Sequence, residues 1–509
     1  MSPRFKKIIL LTSAAVLLAG IAPIQHALNR DRKALGLTRL EPLDNAPPVL
    51  AFTTVALGGF RGLIANALWI RASELQDEDK FFEMAQLADW ITKLEPHYTQ
   101  VWVNQAWNMA YNISVKFKES APGQFPDRWR WVHGGIKLLR DEGLRYNPNE
   151  VLIYRELAWF YQHKMGANLD DANVYYKTEW AREMARVFGD KQANLDELIH
   201  PQTEDARRRS QLLTNEFKLD PVFMKQVDER YGPLEWRMPE AHAIYWAAQA
   251  LRAADLNPSK VKAEDLIQVR RNIFQSMQSS FRHGRLVSNP LAKRFEFGPN
   301  LEIIPKVNQA YEEAIEQEVQ SRENIKGAHR NFLRDAVYFL YSANRVADAA
   351  DWYAYLGKNY PNKTIIDGNA NSFPRNVTLS DYVLSHVIED VGETDRDRVK
   401  ARIEDFIFNA YRFLITSELD LYEGYRRMAR DLRTKYMEQI KGNEARIGLP
   451  RVEETEQELL ARMLDPKEGL SPEARAILRT ELRLPPEQIP PATNAVPAVT
   501  NAPAVAPGK

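Results

Sequence analysis

The sequence contains no cysteine. That excludes disulfides, thiolate metal sites, cysteine nucleophiles and lipidation on cysteine, and it fits an oxidising compartment that avoids stray thiols. An excess of charge of either sign is lacking too. Lys and Arg number 68 and Asp and Glu number 68, so the formal net charge is +0. No bulk basicity draws the chain to nucleic acid, and none is expected as a partner. Motifs that carry cofactor chemistry are missing as well: there is no HExxH, P-loop, GxGxxG, GxSxG or calcium-loop spacing. The nine histidines are so dispersed that no two share a helical turn. A metal site local in sequence is therefore not expected, and no cofactor is implied. Adjacent acids such as Glu78 and Asp79, or Asp170 and Asp171, diverge on a helix, so general acid–base chemistry would need carboxylates brought together by the fold.

One long hydrophobic run is present. Residues 8–24, IILLTSAAVLLAGIAPI, carry no charge and follow Arg4, Lys6 and Lys7. The run sits at the lower limit for a membrane-spanning helix and slightly above a signal-peptide core. Pro23 would follow the only reasonable cleavage pattern, Gly20-Ile21-Ala22, and should block it. An uncleaved anchor is the favoured reading, with a cleaved signal and a buried helix as alternatives. The basic N-terminus would stay in the cytoplasm. The expected placement is the bacterial inner membrane, crossed once through residues 8–24, with the bulk of the chain on the non-cytoplasmic side.

Beyond residue 62 the apolar residues recur at helical spacing almost everywhere. Residues 95–107, EPHYTQVWVNQAW, lie over residues 147–159, NPNEVLIYRELAW, at a constant offset of 52. Pro96 matches Pro148, Trp102 matches Tyr154, Ala106 matches Ala158, and Trp107 matches Trp159. An earlier unit places Trp69 against Trp102 at an offset of 33, and residues 117–128 read as an insertion in the longer unit. Each unit reads as a helical hairpin: 62–78 with 81–94, 98–116 with 129–146, and 149–164 with 172–187. A large residue followed four positions later by a small one lets the second helix approach closely. The prolines stop one unit and start the next.

On these residues the chain resembles the tetratricopeptide repeat family, whose unit of about 34 residues has the same large–small spacing and terminal proline. It also looks like the membrane-anchored tetratricopeptide proteins of bacterial envelopes. The resemblance implies an all-α fold, a degenerate solenoid of helical hairpins, to which the apolar run adds an N-terminal membrane helix and the Pro/Ala-rich composition a disordered C-terminal tail. The expected divisions are an anchor at 1–30, a stalk at 31–61, TPR-like repeats at 62–190 and irregular helical repeats at 191–361. Within the last of these, Phe295, Phe297 and Gly298-Pro299-Asn300 suggest a small β-hairpin at 294–305. A loop at 362–379, a helical region at 380–484 and a Pro/Ala-rich tail at 485–509 follow, the tail too poor in apolar residues to fold.

By the same resemblance, Trp102 and Tyr154 face the hairpin interior. Trp107 and Trp159, about 100° further round, are directed either to packing between units or to the concave groove. Tyr111, Arg155 and His163 extend that stripe. The family's carboxylate clamp is not reproduced, because Glu74, Trp107, Leu152 and Glu156 stand where it would need Asn or a base. GGFRG at 58–62 is a weak candidate anion nest, and the arginines at 207–209 and 270–271 read as solvated helix faces. The expected function is a non-catalytic, membrane-anchored scaffold that binds another protein or peptide in the groove and supports envelope assembly, secretion or transport. The alternative is a carbohydrate-active enzyme on an α/α-superhelical body with a Trp-lined groove.

Overall fold

Short polar and proline-containing turns set the helix boundaries. The Asp220 side chain accepts a hydrogen bond from the Val222 amide, and Pro221 occupies the first helical position of Pro221–Tyr231. Thr203 caps Glu204–Asn215 in the same way, and Ser471 with Pro472 starts Pro472–Glu481. The computed structural model describes residues 61–189, 191–258, 261–289, 294–317, 321–388, 396–441 and 448–487, with short stretches between 12 and 31. It is all-α, 74% helical and 2% strand, and it divides into two units, residues 1–108 and 109–509.

In the first unit, α1 (Arg61–Asp77) and α2 (Phe81–Leu94) form a hairpin. Ala72, Leu75 and Met84 make one apolar cluster, and Ala65, Ile91, Leu94 and Val101 make another. Val101 belongs to α3 (Thr99–Trp107).

The second unit begins with a π-helical segment, Met109 onward within Asn108–Ile113, and continues with α4 (Pro126–Lys137). A Cβ on Gly134 would come within 2.8 Å of the Met109 methyl, so α4 lies close against this segment and a larger residue there would have to displace that flexible side chain. Next come α5 (Val151–Trp159), which runs into a π-helical segment at Phe160–Gly166, and α6 (Asn173–Phe188). Short helices α7 (Leu195–Ile199), α8 (Glu204–Asn215) and α9 (Pro221–Tyr231) lead to the long pair α10 (Pro239–Leu256) and α11 (Ala263–His283). The core gathers around His242 of α10. Its Nε2 lies 2.8 Å from the Trp236 carbonyl, while the rings of Trp180 and Tyr161 sit 4.8 and 5.3 Å away. Burial holds this imidazole down at about 3, so it is neutral at ordinary pH.

The expected β-hairpin at 294–305 is corrected by the structure. A hairpin is present, but it pairs β1 (Arg285–Asn289) with β2 (Arg294–Gly298), antiparallel, with Arg285 opposite Gly298. Gly298-Pro299-Asn300 ends the second strand instead of turning it, and the chain passes into α12 (Ile304–Gln317). The alternation of Phe295 and Phe297 marked that strand correctly. Its partner, RLVSN, lay hidden behind the end of a helical pattern.

Helices α13 (Arg322–Ser342) and α14 (Val346–Asn359) form a hairpin around Asn344, whose φ of 62° is left-handed and well suited to asparagine. The segment up to α15 (Leu379–Ile388) holds no helix, but it is ordered by buried Ser372, whose carbonyl receives the Ile365 amide at 2.7 Å. Beyond lie α16 (Arg396–Ile415), α17 (Leu419–Gln439), α18 (Val452–Met463) and α19 (Pro472–Glu481). Gly424 of α17 rests on the Ser342 carbonyl so closely that any Cβ would clash. One turn on, Arg427 donates to the Tyr341 carbonyl, and a further turn on Asp431 accepts from the Tyr341 hydroxyl at 2.6 Å.

The expected single-pass placement in the inner membrane is also corrected. Among the described residues, no helix is long and apolar enough to cross a membrane. The 17-residue run stands at the lower end of the roughly 17–25 residues that a span uses, and Thr12, Ser13 and Gly20 dilute its apolar character. Most of residues 8–24, the greater part of the stalk including residues 58–60 of GGFRG, and residues 488–509 of the tail lie outside the described residues.

Candidate functional site

The stretch VNQAWNMAYN (103–112) divides its side chains between distinct tasks. Gln105 donates to the Ala85 carbonyl at 3.0 Å, and Asn108 donates to the Phe81 carbonyl at 3.1 Å. Both side chains therefore tie α3 and the residue that follows it to the backbone of α2 in the first unit. Trp102 is buried, and its indole N–H donates to the Pro96 carbonyl at 2.8 Å. At the equivalent place 52 residues on, the Tyr154 hydroxyl donates to the Pro148 carbonyl at 2.7 Å. Each large aromatic thus ties its helix to the proline turn before it. Ala106 and Ala158, four positions later, are both 0% exposed.

The tryptophan five positions after each of these aromatics behaves differently. Trp107, in the first unit, is 42% exposed. Trp159, in the second, is half-buried, and its ring stacks on His163 at 4.4 Å with 12° between the planes. His163 Nδ1 and the Tyr111 hydroxyl share a hydrogen bond at 3.2 Å, and these two residues are themselves 52 apart. Burial first, and then the Lys164 ammonium, lowers the His163 pKa, which favours the neutral imidazole. Burial raises the Tyr111 hydroxyl, helped by the nearby charges of Glu156 and Asp170. Lys164 stands 5.0 Å from the Tyr111 ring centre and pairs with Asp170 at 2.5 Å. Burial pushes the Asp170 carboxyl up, but hydrogen bonds from Lys164 and the Ala172 amide outweigh it and leave the pKa lowered.

Arg155 is not a free cation on this face. It bonds Glu156 at 2.7 Å and also Asp265 of α11, so it ties α5 to α11. Gln162 and Gln275 make a second tie at 2.6 Å. Of the five predicted residues, Tyr111, Trp159 and His163 form one contiguous group in the second unit. Arg155 is committed to a neighbouring helix, and Trp107 belongs to the first unit.

Among the described residues three carboxyls are pushed up, in each case chiefly by burial: Glu183 to about 7, and Asp228 and Glu240 by direction alone. Glu183 faces His133 at 3.3 Å, an imidazole that burial lowers to about 4. Asp228 accepts from the Leu234 amide and the Trp236 indole, holding the turn after α9. Desolvation dominates all three, rather than the facing carboxylate that glycosidic chemistry uses. Among the described residues no group of three His, Asp or Glu side chains is placed to hold a metal.

One feature escaped the sequence reading. A cavity of about 830 Å³ opens between α12, α13 and the residues that follow α14. An oriented chain of hydrogen bonds runs beside it. The amide oxygen of Asn308 can only accept, so His329 donates to it through Nε2 at 2.7 Å. His329 Nδ1 then accepts from the Tyr360 hydroxyl at 2.9 Å. Asn308 in turn donates to the Tyr355 hydroxyl at 3.3 Å, and Tyr355 donates to Glu312. Burial lowers His329 to about 4 and raises Tyr360 to about 12, so both are neutral at ordinary pH. Five residues scattered over three helices and a turn carry no local motif, which is why the spacing gave no sign of them. The chain matches no protein-family model, no curated protein and no solved structure.

Proposed function

We propose that this chain is a TPR-like helical-repeat scaffold that binds another protein or peptide without catalysing a reaction on it. The partner docks on the Trp159–His163–Tyr111 face of the second unit, and Trp107 is the repeat-equivalent contact in the first. The observation that supports this reading is the bond between Tyr111 and His163. Residues equivalent by the 52-residue offset touch each other, as they do when successive repeats stack. Stacking leaves a half-buried tryptophan pinned by a histidine ring at the surface. A rigid aromatic that loses little conformational entropy on contact is what binding hot spots use. The test is site-specific photo-crosslinking in cells that make the full chain, with p-benzoylphenylalanine in turn at positions 107, 159 and 180. Discrete adducts at 107 and 159, and none at 180, whose tryptophan is fully buried, are expected. The same adduct pattern at all three positions, or none at 159, overturns the proposal.

A further inference from the structure

The cavity beside His329 has the size of a small-molecule site, about 830 Å³ against the roughly 300–1,000 Å³ that such sites enclose. Its polar groups are divided. Arg330 lines it half-buried, its Nε has no hydrogen-bond partner, and among the described residues the guanidinium has no ion pair. Desolvating part of a guanidinium without an acceptor is unfavourable, and an anion held against its remaining N–H groups would offset part of that cost by charge attraction. Lys363 stands on the same wall, also without an ion pair among the described residues. Of the other charged groups of the wall, Lys326 pairs with Glu323 at 2.9 Å, and one oxygen of Glu312 accepts from Tyr355. That leaves the Glu316 carboxylate as an acceptor. Tyr360 is a second one, because its proton is committed to His329 and its oxygen presents lone pairs only.

We propose that this cavity binds a small zwitterion. Its anionic group, carboxylate or phosphate, is received by Arg330 and Lys363, and its ammonium is received by Glu316 and the Tyr360 oxygen. The directed chain from Tyr360 through His329 and Asn308 to Glu312 holds that oxygen as an acceptor. The site is separate from the partner-binding face, and its test does not depend on that reading.

The test is calorimetric titration of the full chain at low salt with three probes: O-phosphoserine, serine and inorganic phosphate. One of the two amino acids is expected to bind, and inorganic phosphate to bind at least about tenfold more weakly than that amino acid. Serine binding as tightly as phosphoserine assigns the anion as carboxylate, whereas binding of phosphoserine alone assigns it as phosphate. Arg330→Gln should weaken binding about tenfold or more, with Lys363→Gln weakening it less. Arg208→Gln, at an exposed arginine paired with Asp205, should leave it unchanged. If circular dichroism shows that Arg330→Gln is misfolded, Lys363→Gln at an exposed position decides. Failure of all three probes to bind at millimolar concentration overturns the proposal. So does affinity that is unchanged in Arg330→Gln and Lys363→Gln, or inorganic phosphate binding as tightly as the amino acid that binds.

Discussion

Helices Thr99–Trp107 and Val151–Trp159 begin, end and pass into π-helical turns at equivalent residues. Both use their first aromatic to donate to a proline carbonyl six residues back. They part at the surface. Trp107 is 42% exposed, whereas Trp159 is half-buried against His163. In the second unit the helices Pro239–Leu256 and Ala263–His283 account for the rest. Tyr154 stacks on Trp246 at 6.0 Å, Arg155 bonds Asp265, and Gln162 bonds Gln275. The interior of each copy follows from its own sequence, while the outer face depends on which helices come next.

The largest effects are expected at the small residues. Ala106→Leu and Ala158→Leu force a larger side chain into fully buried positions, and each should cost about 1–3 kcal/mol in denaturant unfolding. A cost at one position and none at the other would show that the copies are not equivalent inside. Trp159→Ala should come next, at about 1–2 kcal/mol, with Trp107→Ala within about 0.5 kcal/mol of wild type. Equal costs would mean that the difference in exposure carries no energetic weight. Tyr154→Phe removes one hydrogen bond to Pro148 and should cost about 1 kcal/mol. A neutral result would leave the proline tie without a role in stability.

The smallest effect is a pH dependence that only the later copy can show, since it carries His163 where the earlier has Tyr111. Burial and then Lys164 lower the His163 pKa below its ordinary 6.5. The unfolded chain therefore takes up this proton before the folded one does. The contribution to stability is fully present above pH 6.5 and is lost as pH falls through the folded value. His163→Gln should flatten that part of the profile of melting temperature against pH. An unchanged profile would show that His163 does not sense its surroundings.

Much of the fold was legible because helical periodicity and proline turns are local signals. The hairpins at 62–78 with 81–94 and 149–164 with 172–187 lie close to the observed Arg61–Asp77 with Phe81–Leu94 and Val151–Gly166 with Asn173–Phe188. The first β-strand was not legible, because RLVSN continues directly from a helix and finds its partner only through pairing. The aromatic group was half legible. Offset arithmetic brought Tyr111 and His163 to equivalent places, but Arg155 looked available until Asp265, 110 residues away, was seen to hold it. The His329 network draws on residues 308 to 360, and no spacing in the sequence links them.

On the proposed function, the tryptophans at 107 and 159 contact a partner and do not merely support the fold. The most direct test is the affinity of the purified crosslinked partner for the full-length chain with Trp159→Ala, alongside far-ultraviolet circular dichroism. A loss of about 2 kcal/mol, roughly 30-fold in Kd, with helical content intact is the predicted result. Unchanged affinity in a folded Trp159→Ala chain would contradict it and leave this ring as packing between helices.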